Sequence, residues 1–196
     1  MGQPWKSELL RPSGCILLAL ALLILPLRWV LAWIAAASVH ECFHLAAVRF
    51  CGGRIRKVHI SSCGARISAD DLSPGQELFC ILAGPLGALI LLLFARWFPA
   101  AAVCALLQST YNLLPLSSLD GGNALNNAAR MLLPPHTAAI VCNTAEFLCL
   151  LLIMIAAIYA AIALNLGWMP VFLALLLFTK TKFGKTPCKP GCQRVQ

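Results

Sequence analysis

The chain has 196 residues, 60% of them hydrophobic and only 11% charged, with a mean hydropathy of +0.83. That composition excludes a water-soluble globule of this size and points to a chain threaded through a lipid bilayer. The net charge of +8 does not signal nucleic acid, because 13 of the 15 Lys and Arg fall on segments assigned to the cytosol by the positive-inside rule, leaving only Arg28 and Arg96 outside.

In chain order, the apolar runs predict an all-α polytopic membrane protein of about six transmembrane helices, with a small β-hairpin between the second and third. The expected spans are Gly14 to Leu27, Val30 to Phe50, Gln76 to Trp97, Ala100 to Pro115, Ala138 to Leu164 and Trp168 to Thr181. An N-terminal secretory signal is rejected, since cleavage at Ala35-Ala36-Ala37 would cut through the second span. The polar stretch from Arg54 to Ala69 alternates around His59 and Arg66, with Ser61-Ser62-Cys63-Gly64 as its turn, which is the hairpin signal. Both termini are expected in the cytosol of a multi-pass cell-membrane protein. Ten Cys are scattered, mostly inside apolar runs, and Cys188 and Cys192 have no second ligand pair at zinc-finger spacing.

The second span carries chemistry. His40-Glu41-Cys42-Phe43-His44 fits H-E-x-x-H, and residues four apart on a helix share a face, so both imidazoles can hold one zinc ion while Glu41 moves a proton. Ionisable groups in an apolar span are costly and point to function. A catalytic zinc needs a third ligand and an open position. The acids available are Asp70, Asp71, Glu77, Asp120 and Glu146, with His59 as another ligand type. If the second span runs inward, the ligand approaches from the cytosolic side, which favours Asp120 after the fourth span. Pro115, Gly121 and Gly122 provide the backbone break it needs. The bland alternative for Asp120 is a helix cap. For Glu146, with Asn143 and Thr144, a bond to another helix outweighs a metal role.

These residues resemble the site-2 proteases, a family of intramembrane zinc metallopeptidases. His40-Glu41-Cys42-Phe43-His44 matches their zinc motif, and Asn112-Leu113-Leu114-Pro115-Leu116-Ser117-Ser118-Leu119-Asp120-Gly121-Gly122 resembles their second motif. Between the two, Ala83-Gly84-Pro85-Leu86-Gly87 resembles a weaker family element. The resemblance implies that His40, His44 and Asp120 bind Zn2+, that Glu41 is general base and acid, and that Asn112 steadies the developing oxyanion or positions substrate. It implies a membrane-embedded protease domain over residues 1–183, most like a sporulation branch of the family. A basic cytosolic tail over 184–196 would stand in place of a C-terminal regulatory domain. The implied function is hydrolysis of peptide bonds in or near the transmembrane segment of a membrane-associated protein, a transcription factor precursor being the suggested class. The lipid bilayer and a regulatory membrane partner are the other implied associations, and no nucleic acid is. Two rivals are a metal transporter, which would tolerate glutamine at position 41 and usually shows inverted repeats, and a non-catalytic scaffold, which would tolerate loss of His44.

Overall fold

Proline marks where several helices of this chain begin, and the ends of the helices decide how many can cross a membrane. The computed structural model describes residues 26–61, 64–70, 72–164 and 167–180. These fall into two compact units, one running through Tyr111 and the other from Asn112.

In the first unit, helix α1 spans Leu27–Phe50 and starts at Pro26, whose carbonyl accepts from Trp29 N–H at 2.8 Å. It ends in a Schellman-type turn. Gly53 N–H reaches back to the Val48 carbonyl at 3.0 Å and Gly52 adopts φ +74°, the left-handed conformation that glycine takes without steric cost. Strands β1 (Arg54–Ser61) and β2 (Gly64–Asp70) follow as an antiparallel ribbon, in register from Arg54 opposite Asp70 to Ser61 opposite Gly64, with a bulge between Ile55 and Lys57. Helix α2 covers Pro74–Ala88 and opens on a complete capping box. Ser73 N–H donates to Gln76 Oε1 at 2.8 Å, Gln76 N–H donates to Ser73 Oγ at 3.4 Å, and Pro74 occupies the first turn. It continues as a 3-10 segment, Leu89–Phe94, and α3 then spans Pro99–Asn112. Ala32 and Ala36 of α1 pack with Cys104 and Ala105 of α3, small side chains that let two helix backbones approach closely.

In the second unit, α4 spans Asp120–Leu132, α5 Pro135–Ala163 and α6 Met169–Lys180. Leu133, just before Pro134, is extended at φ −127° and ψ 153°, as a residue preceding proline must be when a helix stops there.

Burial in these helices is reversed relative to a water-soluble protein. His40, His44, Ser109, Asp120 and Glu146 are buried together with alanines, while Leu31, Trp33, Phe79, Leu93, Ile155 and Ile162 face outward. Outward leucine and aromatic faces are stable only in hydrocarbon, where the polar groups must turn inward. The chain is a multi-pass membrane protein.

The expected count of six spans is corrected. Among the described residues three helical segments are long and apolar enough to cross: Leu27–Phe50, Pro74–Phe94 and Pro135–Ala163. The segments expected at Ala100 to Pro115 and Trp168 to Thr181 form helices of 14 and 12 residues. At about 1.5 Å of rise per residue the first of these reaches only about 21 Å, short of a hydrocarbon core of about 30 Å, and the second runs up to the last described residue. The expected first span lies almost wholly outside the described residues, as do Ser62, Cys63, Asp71 and the tail 184–196 with Cys188 and Cys192.

Candidate metal centre

On α1 the spacing of four residues sets the two imidazoles edge to face, both buried, with ring centroids 4.8 Å apart and planes at 79°. His44 Nδ1 lies 2.8 Å from the carbonyl oxygen of Cys80 on α2. A carbonyl only accepts, so Nδ1 carries the proton and Nε2 presents its lone pair. That nitrogen faces Nε2 of His40 at 3.1 Å. The tautomer that leaves Nε2 available to a metal is therefore set by a backbone atom of the neighbouring helix.

The approach of α1 to α2 requires glycine. A Cβ on Gly84 would collide with the His44 imidazole, and one on Gly87 with the ring of Phe43. In the sequence, Ala83-Gly84-Pro85-Leu86-Gly87 was the weakest of the three motifs. In the structure two of its residues form the seat for one side of the zinc motif. Small residues three apart signal a close helix contact, but nothing local says which side chain fills the space.

Asp120 is the first residue of α4, after a connection, Leu113–Leu119, that is not helical. The connection is held by its own backbone: Leu116 N–H donates to the Leu114 carbonyl at 2.7 Å and Leu119 N–H to the Leu116 carbonyl at 2.9 Å. It lies flat against the start of α4, because Gly121 and Gly122 have no side chains. A Cβ at Gly121 would meet the carbonyls of Leu113 and Leu114, and one at Gly122 the carbonyl of Leu116. Asn123 Nδ2 donates to the Leu119 carbonyl at 2.7 Å, closing the turn. Asn112 ends α3 at the head of this connection and is half-buried.

His40, His44 and Asp120 form a group in which one ligand atom of each lies within 4.8 Å of the others, and all three residues are buried. It is the one such group among the described residues; Glu77 and Glu146, considered from sequence, are not in it. Two neutral imidazoles and a carboxylate are a donor set that suits zinc, leaving a fourth position open. A tetrahedral zinc with ligands at about 2.0–2.2 Å holds neighbouring donors about 3.3 Å apart, close to the separation of the two imidazole nitrogens. The residues fit the ion. Glu41, half-buried, follows His40 on the same helix.

No family model matches the chain. It is 32% identical over 185 residues to stage IV sporulation protein FB of Bacillus subtilis (strain 168), an alignment covering 85% of this chain and 63% of that protein. The chain thus spans somewhat less than two thirds of the length of this curated relative. Its fold is similar to that of a site-2 protease from Methanocaldococcus jannaschii, with a TM-score of 0.58 and 15% identity, covering 91% of each chain. The chain thus has the fold of that site-2 protease, and its buried His-His-Asp cluster could hold a metal ion.

Proposed function

We propose that the chain is an intramembrane zinc metalloendopeptidase that hydrolyses peptide bonds in or near the transmembrane segment of a membrane-associated protein. The observation that carries this reading is the buried convergence of two imidazoles and one carboxylate. A transport or scaffold role gives no reason for Glu41 to follow His40 directly.

In this reading His40, His44 and Asp120 hold the ion, which when bound supplies Lewis acidity to a peptide carbonyl and to water. Glu41 takes the proton from the attacking water and delivers it to the leaving amine nitrogen. Asn112 offers an amide donor to the oxygen that gains charge, or to the backbone of an extended substrate. The ribbon of β1 and β2 is a two-stranded sheet whose edge could pair with such a substrate and hold it extended for attack. Arg49 in the last turn of α1 and Arg54, Arg56, Lys57 and Arg66 in the sequence after it support a cytosolic position for its C-terminal end; the basic residues near both termini support the same side for them. A transcription factor precursor is the substrate class we favour, and the protease domain is proposed to extend over residues 1–183.

The test is zinc analysis of the purified protein together with a cleavage assay on a membrane-tethered substrate, for the natural chain and for Glu41→Gln. The variant should keep its zinc and lose turnover by a factor of about 10² to 10⁴, the usual worth of a general base. Undiminished cleavage in the variant would remove the assignment.

A further inference from the structure

Helix α5 buries one acid. Glu146 lies 11 residues into a 29-residue helix that holds no other acid and no Lys or Arg, and it is only 5% exposed. A carboxylate at such a place is retained only if it is well bonded. Its Oε1 accepts twice from a single residue, from the Ser117 hydroxyl at 2.8 Å and from the Ser117 backbone N–H at 3.2 Å. Ser117 stands in the middle of the non-helical connection that ends at Asp120. Its neighbour Leu116 is buried, with its carbonyl packed on Gly122. The connection is therefore held on both sides, by the bare backbone at Gly121 and Gly122 and by the carboxylate of α5.

We propose that Glu146 is a positioning residue for Asp120: by fixing Ser117 it sets the place of the carboxylate three residues on, and through it the metal affinity of the cluster. The inference rests on the reading of His40, His44 and Asp120 as metal ligands and extends it to a residue outside both sequence motifs. A merely structural tether would change the stability of the protein with and without metal alike. A positioning role changes metal affinity and the ligand field, and is restored by a side chain that still offers an oxygen acceptor.

The full chain in detergent micelles is loaded with Zn2+ against a competing chelator, and separately with Co2+ for its visible absorption bands, for the natural protein, Glu146→Leu, Glu146→Gln and Ser117→Ala. Glu146→Leu should weaken zinc binding about 10- to 100-fold, the range for groups that orient a ligand, and shift the cobalt bands. Glu146→Gln keeps an acceptor and should recover most of the affinity. Ser117→Ala keeps the backbone donor and should fall between, which also decides the matter if the leucine variant does not accumulate. Natural affinity and unshifted cobalt bands in both Glu146→Leu and Ser117→Ala, or in Ser117→Ala alone if the leucine variant is lost, would overturn the proposal, as would equal losses in the leucine and glutamine variants. A natural protein that binds neither metal would instead overturn the metal reading itself, a result visible before any variant is compared.

Discussion

His40 and His44 are presented from the middle of a regular helix, whereas Asp120 stands at the first residue of α4, placed by the non-helical turn that leads into it. In the first case the covalent spacing does most of the work: four residues of α helix put both rings on one face, and the surroundings need only fix a tautomer, through Cys80 O, and leave room, through Gly84. In the second case the backbone from Leu113 to Leu119 has no repeating hydrogen bonds to rely on. Two bonds of its own backbone shape it, and it depends besides on contacts from outside itself, the glycines of α4 and the carboxylate of Glu146. A ligand on a helix tolerates changes that leave the helix intact. A ligand on a turn inherits the strength of every contact that shapes the turn.

Adding one methyl group to each region should therefore separate them. Gly122→Ala is expected to have the largest effect, because its Cβ meets the Leu116 carbonyl and the Ser117 backbone nitrogen, which cannot rotate away. The connection must move bodily, at a cost of about 3 kcal/mol or more in stability, the upper part of the range for overpacking, with zinc affinity falling with it. Thermal unfolding in detergent, with and without zinc, measures both. An unfolding temperature within a degree of the natural protein would mean that α4 and the connection are not in contact as described.

Gly84→Ala should do less damage to the fold, about 1–3 kcal/mol, since its Cβ meets a side chain rather than backbone. The side chain is the His44 imidazole, however, so the loss should show chiefly in zinc binding. Gly75→Ala is the matched control on the same helix: nothing lies within 4 Å of its Cβ, and it should leave zinc binding unchanged. If both alanine variants bind zinc equally, the helix-borne ligand does not depend on α2, and the contrast between the two regions becomes sharper than the structure suggests.

The same contrast explains what could be read from the sequence. The pairing of the two histidines was legible because helical periodicity is a local property that survives any tertiary arrangement. Asp120 was legible through Pro115, Gly121 and Gly122, residues whose backbone restrictions are also local. The contact of Gly84 with His44 and the bond from Ser117 to Glu146 join residues 40 and 29 positions apart, and no pattern within one segment encodes them. The span count failed for a related reason. Hydropathy from Ala100 to Pro115 records preference for lipid, but α3 ends at Asn112, where the backbone leaves the helix for the connection. Apolar composition does not specify where helical hydrogen bonding stops.

The smallest effect tests how far the support for His44 extends along α2. Ser73 closes the capping box of α2 seven residues before Cys80, whose carbonyl fixes the His44 tautomer. Ser73→Ala removes the acceptor for Gln76 N–H and should cost about 1 kcal/mol, the usual worth of an N-cap. Two turns of helix separate the cap from the carbonyl, and fraying after loss of a cap is confined to the first turn. The expected outcome is a slightly lower unfolding temperature with zinc affinity unchanged. Should zinc affinity fall about tenfold, α2 would have to respond as one stiff unit, and the His44 side of the site would depend on distant contacts as strongly as the Asp120 side does.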